Sequence, residues 1–307
     1  MKYSKQDMLG KVVDIHTHST GIAMYRMIQG KYPVSQDIVD LSETAKANAV
    51  DFMVTFPMPT TVYYDARKMR DDRVYVPSGV EEYPYQYENQ SLVAMVRNLK
   101  LENMLPFLSF SLHDKIPQQL ENIRQLAQQY NVYGLKYHGT LEQKGIRCPE
   151  FEEFAALAAQ LNIPILLHSE ISPVAHPLDA LAFAREHPEV RLCVAHAANM
   201  FAPFYAQAQD AQLPNLFMDS APLLRICDDP GAKSQCMPFD YEDPVSVLKS
   251  LHAALPNGLL WGTDMPWHRF FRKDGQLSTY SQEAALLQQS GLVDAISQNT
   301  CRFLFGE

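Results

Sequence analysis

The chain has 307 residues, 47% hydrophobic and 20% charged, with a formal net charge of −9. That length holds one large domain with a substantial core or two small ones, and the composition is ordinary for a globular protein. The acidic balance argues against a nucleic-acid footprint, which would be basic.

The N-terminal stretch MKYSKQDMLGK has no apolar core of signal-peptide length, and no run approaches the roughly 18 apolar residues of a membrane span. Five scattered cysteines (Cys148, Cys193, Cys227, Cys236 and Cys301) form no C-x-x-C pair, so they read as reduced thiols rather than a disulfide framework. A cytoplasmic protein is expected, with no membrane or nucleic-acid partner.

Short apolar runs then alternate with helix-period stretches from end to end. Eight runs read as strands: Val12–His16, Phe52–Pro57, Leu105–Ser111, Tyr133–His138, Ile165–His168, Leu192–His196, Leu216–Asp219 and Leu259–Thr263. Between them, Ile38, Leu41, Ala45 and Ala49 make one helical stripe, and Leu120, Ile123, Ala127 and Tyr130 another. Phe151, Phe154, Ala155, Ala158 and Leu161 form a third, and Leu248, Leu251 and Leu255 a fourth. Pro117, Pro149, Pro177, Pro203 and Pro244 sit near helix starts, where a missing amide costs little.

Strand–helix alternation predicts an α/β fold with a covered parallel sheet. Eight such units suit a closed (β/α)8 TIM barrel, typically about 250 residues plus insertions, as a single domain over residues 1–307. A doubly wound open sheet competes, because periodicity does not report closure. Two connections are long. Residues 59–88 hold Tyr63, Tyr64, Tyr75, Tyr83, Tyr85 and Tyr87 with Arg67, Lys68, Arg70 and Arg73; residues 222–243 hold Arg225, Cys227 and Cys236. Each follows a strand, so each would lie over the barrel mouth.

The chemistry collects at strand ends. The first strand carries Asp14-Ile15-His16-Thr17-His18, and alternation along a strand puts His16 and His18 on one face, able to chelate one ion. Alone, such a pair is weak evidence. It gains weight by repetition: Lys136 and His138 close the fourth strand, His168 the fifth, His196 the sixth and Asp264 the eighth. Barrel active sites are built at that end, from several strands.

These residues carry a resemblance. DIHTH, LLHSE, VAHAA, GTDMPW and the terminal NTCRFLFGE resemble the amidohydrolase superfamily over about residues 12 to 305. The nearest likeness is to the amidohydrolase-related branch that includes aminocarboxymuconate-semialdehyde decarboxylase and various lactone hydrolases and hydratases. The resemblance implies a divalent metal held by His16, His18, His168 and Asp264, with His196 as the catalytic histidine and Asp264 receiving a proton. Zn2+ is the first expectation, Mn2+ or Fe2+ the alternatives.

Lys136 is either a carboxylated bridge between two metals or a plain cation facing a substrate carboxylate. His138 stands between substrate contact and structural hydrogen bonding. Arg225, His268, Arg269 and Arg26 are further substrate-binding candidates, arginine through its two-pronged donor geometry. The bland readings are strand-end or core histidines, and a helix cap for Asp264. Asp14 reads as a buried structural carboxylate, and Glu170 as a solvated or outlying one.

The expected activity is a metal-dependent hydrolase in which a metal-activated water attacks a small polar or carboxylated substrate: an amide, lactone or cyclic ester. The alternative is a metal-dependent non-oxidative decarboxylase or hydratase of an unsaturated or aromatic acid. A barrel that binds a ligand without turning it over is the reading outside enzymes. The partner is a small-molecule substrate, and a homodimer is compatible with the fold.

Overall fold

The computed structural model describes residues 3–19, 37–58, 61–65, 67–229, 235–267 and 272–306. Eight strands appear: β1 (Val13–Ser19), β2 (Phe52–Pro57), β3 (Met104–Ser109), β4 (Gly134–Tyr137), β5 (Ile165–Leu167), β6 (Leu192–Val194), β7 (Leu216–Asp219) and β8 (Leu259–Leu260). They pair in parallel in sequence order.

Closure comes from the chain just beyond β8. Ile15 N–H donates to Trp261 O at 3.1 Å, Asp264 N–H to His16 O at 2.7 Å and His18 N–H to Met265 O at 2.6 Å. The sheet therefore wraps onto β1 as a (β/α)8 barrel, and the open-sheet alternative falls. Gly262 permits this seam, since a Cβ there would stand 2.8 Å from His16 Cβ.

The four helical stripes lie on helices Ile38–Ala47, Ile116–Gln129, Pro149–Leu161 and Pro244–Ala254. Ala49 falls beyond the first of these, at φ 56, and Tyr130 and Leu255 are the C-caps that follow the second and fourth. Further helices not singled out by periodicity span Gln86–Asn98, Pro177–Glu186, Ala202–Ala211, Tyr280–Ser290 and Val293–Phe305. All five prolines named above occupy the first or second position of their helices.

Two apolar layers result. Val13, Ile15, Val54, Phe56, Leu105, Phe107, Leu166, Cys193, Phe217 and Leu260 fill the cylinder. Phe303, on the last helix, plugs its floor, with its ring centroid 5.3 Å from Phe217 and 6.3 Å from Phe107. The other faces of the strands pack on the helices in a second, larger cluster. Strands buried on both faces are mostly apolar, and here the polar exceptions, such as His16, His18, Lys136 and Asp219, fall toward the strand ends that form the site. Among the described residues no helix is long and apolar enough to cross a membrane, and all five cysteines are free.

One departure from simple alternation matters for the site. The register of β1 on β2 shifts between Asp14 and Thr17. Alternation would put Asp14 on the face of His16. Instead the buried Asp14 carboxylate accepts from Thr263 Oγ1 at 2.7 Å, Thr263 N at 3.0 Å, His16 N at 3.1 Å and Tyr280 OH at 3.0 Å, the last on an outer helix. Asp14 is thus a structural carboxylate, while His16 packs on Phe56 inside the barrel, 5.2 Å between ring centroids. The bulge separates the two jobs.

Candidate metal centre

At the C-terminal end of the barrel, His16 Nε2 and His18 Nε2 lie 3.3 and 3.1 Å from Asp264 Oδ1. All three residues are buried, and their ligand atoms fall within 4.8 Å of one another. Asp264 reaches this point because its backbone turns left-handed, at φ 58, just where its amide bonds to β1. Such a conformation is uncommon outside glycine and is retained where surrounding structure imposes it.

Protonation follows from the second nitrogen of His16. Its Nδ1 lies 2.8 Å from Asp219 Oδ2 in a fully buried pair; with the ring proton on Nδ1, donated to that carboxylate, Nε2 keeps its lone pair. Burial, followed by the charges of Lys136 and the other histidines, holds His16 well below the ordinary imidazole pKa. A neutral nitrogen lone pair therefore faces a carboxylate oxygen. Burial pushes Asp264 upward, but the His18 hydrogen bond and the nearby positive groups offset it, leaving the carboxyl below its ordinary value. Among the described residues, buried His18 Nδ1 has no hydrogen-bond partner. Two imidazoles and an ionised carboxylate converging in a buried pocket fit a divalent cation.

A second group of rings abuts the first. His196 donates Nδ1–H to Ala221 O at 2.6 Å and its amide to Asp219 Oδ1 at 2.9 Å. Its Nε2 lies 3.0 Å from His168 Nδ1. His196 opens a run of five left-handed residues, His196 to Met200, a conformation costing about 1–2 kcal/mol per residue. Tyr205 OH to Ala197 O (2.7 Å), Asn199 Nδ2 to Ser169 O (2.6 Å) and Met237 N to Met200 O (2.8 Å) hold it. Burial drives His196 down to about 3, so its Nε2 is unprotonated at neutral pH and faces His168 Nδ1.

Lys136 is buried with Nζ 3.4 Å from His16 Nε2 and 4.7 Å above the Phe56 ring. Burial lowers its pKa to about 8, opposed by Asp219 and Asp264, so it remains mostly cationic at neutral pH. His138 stacks on His168 and, as the cap of the short Gly139–Glu142 turn, accepts from Leu141 N at 3.3 Å.

The structure thus brings His16, His18 and Asp264 together, with Lys136 and His196 beside them. His168 stands one ring away: its Nδ1 engages His196, its Nε2 is 3.7 Å from Glu170 Oε2, and it does not enter the compact three-ligand set. Glu170 is drawn down to about 2, first by that histidine. Arg225 lies exposed on the helix Leu223–Asp228. His268, Arg269 and Arg26 lie outside the described residues.

From the tyrosine-rich stretch, Tyr63 OH donates to Asp114 at 2.5 Å, Tyr64 OH sits 3.0 Å from Ser111 Oγ, and Tyr75 stacks on His113. That stretch is docked on the loop after β3. Asp219, which the sequence reading did not single out, is the carboxylate brought against His16. Its signal was the shared one, a carboxylate at the C-terminal end of a strand.

A family model described as amidohydrolase matches residues 13–297. No curated protein matches the chain significantly. Among solved structures, a probable 2-pyrone-4,6-dicarboxylic acid hydrolase from Acinetobacter baumannii superposes with a TM-score of 0.58 at 13% identity, over 97% of this chain and 100% of that one. A 2,6-dihydroxybenzoate decarboxylase from Rhizobium gives 0.63 at 12%, over 96% and 98%. A 5-carboxyvanillate decarboxylase from Novosphingobium aromaticivorans, complexed with manganese, gives 0.59 at 11%, over 96% of each chain. At such identities the structural likeness speaks for the fold, and the family match for membership. The chain belongs to the amidohydrolase family of metal-dependent enzymes.

Proposed function

We propose that this protein converts a small carboxylated or otherwise polar substrate using one divalent cation held by His16, His18 and Asp264, with His168 and His196 flanking it. The observation that carries this is the approach of two imidazole nitrogens to Asp264 Oδ1, 3.3 and 3.1 Å away, while the far nitrogen of His16 is already committed to Asp219. A divalent cation bound there supplies Lewis-acid polarisation of a substrate oxygen and acidifies water.

The chain's own residues do the rest. Asp264, ionised, and His196, with Nε2 unprotonated and 3.0 Å from His168 Nδ1, are proton acceptors on either side of His16. Lys136 is a cation in a closed pocket, and a substrate carboxylate or a developing oxyanion is its natural counter-charge. The stacked His138 and His168 close one wall.

Hydrolysis of an amide, lactone or cyclic ester uses these groups directly. The second reading, non-oxidative decarboxylation or hydration of an unsaturated or aromatic acid, stands equally. Its support is the same pair of acceptors beside a buried cation, and a fold shared with both a lactone-acid hydrolase and aromatic-acid decarboxylases. The cation is Zn2+ or Mn2+, the latter being bound in two of the structural neighbours. The chain works as one domain on a small-molecule substrate in a reducing, cytoplasmic setting, in keeping with its free cysteines.

The test is to strip the purified protein with chelator and restore Zn2+ or Mn2+ separately. Lactone dicarboxylates would be followed by ring opening and hydroxybenzoates by CO2 release. Turnover lost on stripping and regained on reloading supports the proposal; turnover indifferent to both steps overturns it. Which product appears decides between the two reactions.

A further inference from the structure

We infer that Asp219 is a positioning residue that sets the proton-bearing nitrogen of both His16 and His196, so that each ring presents a bare Nε2 to the interior. Its carboxylate is wholly buried at the end of β7 and divides its oxygens. Oδ2 takes the Nδ1–H of His16 at 2.8 Å. Oδ1 takes two backbone amides, His196 N at 2.9 Å and Ala221 N at 3.0 Å.

The second oxygen closes a small circuit. Ala221, whose amide Asp219 anchors, accepts His196 Nδ1–H on its carbonyl at 2.6 Å. The same carboxylate thereby fixes where the left-handed run after β6 begins and where the imidazole of its first residue points. One side chain orients two rings from different strands, one by direct contact and one through a single residue. Two of its partners are backbone N–H donors, and the third, His16 Nδ1, is a donor in the tautomer inferred here.

That last fact makes the charge necessary. An asparagine at 219 has one acceptor oxygen and one amino group. If its oxygen faces the two amides, its NH2 faces His16 Nδ1 and makes that nitrogen an acceptor, moving the ring proton to Nε2. If its oxygen faces His16, the NH2 points at two N–H donors. The first arrangement satisfies more hydrogen bonds, so Asp219→Asn turns the His16 ring nitrogen that faces Asp264 from acceptor into donor. A carboxylate behind a ligating imidazole fixes its tautomer and raises its basicity, and its loss typically weakens metal binding about 10–100-fold. Only this consequence rests on reading His16 as a ligand.

The experiment uses metal-free protein with 15N-labelled histidine, in which long-range 1H–15N correlations distinguish Nδ1–H from Nε2–H, the His16 signals being assigned with His16→Gln. Wild type is expected to show His16 and His196 both protonated on Nδ1. D219N is expected to move the His16 proton to Nε2 and to weaken Mn2+ binding about 10–100-fold, measured by chelator competition. A folded D219N that keeps His16 Nδ1–H and wild-type Mn2+ affinity overturns the inference. Should D219N fail to fold, the wild-type spectrum decides alone, because His16 protonated on Nε2 there overturns it as well. Wild type with both rings protonated on Nδ1 but no affinity for Mn2+ or Zn2+ supports the role of Asp219 and overturns the metal reading.

Discussion

The imidazoles of His138 and His168 lie parallel, with 3.7 Å between centroids and 12° between planes. Burial holds both below the ordinary imidazole pKa, His138 furthest, and for His138 the neighbouring His168 adds to the effect of burial. Two uncharged rings can stack; two imidazolium rings would repel. His138 also caps the turn that follows β4, so it has a structural task and a site task at once.

These tasks separate by substitution. His138→Ala is expected to lose about 0.5–2 kcal/mol of stability with the cap and to lower kcat/KM by about tenfold or more as His168 loses its support. His138→Asn, a good cap without a stacking ring, is expected to recover the thermal midpoint but not kcat/KM. Thermal unfolding and steady-state kinetics read the two effects; wild-type kcat/KM in both variants would remove His138 from the site.

Lys136 distinguishes a one-metal from a two-metal centre. Its side chain lies along Phe56 and points at His16, so Lys136→Met keeps much of the packing and deletes the charge. With a plain cation, metal content per subunit is expected to be unchanged and kcat/KM to fall about 100-fold or more, the usual cost of removing an oxyanion-stabilising donor. A drop in metal content from two to one per subunit would instead identify the lysine as a carboxylated bridge. Elemental analysis of both proteins reads this directly.

Glu142 makes stability depend on pH away from the metal centre. It is buried, with Oε2 2.5 Å from Ser111 Oγ and Oε1 3.5 Å from Tyr85 OH, and burial raises its pKa to about 8. A carboxyl raised in the folded state binds its proton more tightly there than in the unfolded chain. Its contribution is therefore complete below the ordinary glutamate value and is lost as pH rises through about 8. Relative to wild type, Glu142→Gln is expected to gain in thermal midpoint between pH 5 and pH 9. A difference that stays flat over that range would show that Glu142 is ionised in the fold.

The opposite end of the barrel separates stability from activity. Phe303 is fully buried between Phe107 and Phe217 at the floor. Phe303→Ala is expected to cost about 3–5 kcal/mol, seen as a lower denaturation midpoint, while Mn2+ affinity of the folded protein stays at the wild-type level. Residues at this face serve stability rather than chemistry.

Much of this architecture was legible in the chain because its signals are local. Apolar runs bounded by breakers located all eight strands, and β2 and β7 have the boundaries that their runs gave. A histidine, lysine or aspartate recurring at strand ends marked His16, His18, Lys136, His196 and Asp264, since parallel strands bring such ends to one rim whatever separates them in sequence.

Three things needed the closed cylinder. Alternation put Asp14 with His16, and a one-residue register shift inside β1 parted them; nothing in Val13-Asp14-Ile15-His16 announces a bulge that pairing with β2 creates. Asp219 looked like the polar end of a buried strand until His16, 203 residues away, came within 2.8 Å. The ring of His168 was expected among the ligands; its neighbours His138, Glu170 and His196, contributed by two neighbouring strands and its own loop, could not be read from its own strand. Period and composition fix which residues reach the rim. Which nitrogen or oxygen each one offers depends on through-space hydrogen bonds, and those exist only once the strands are side by side.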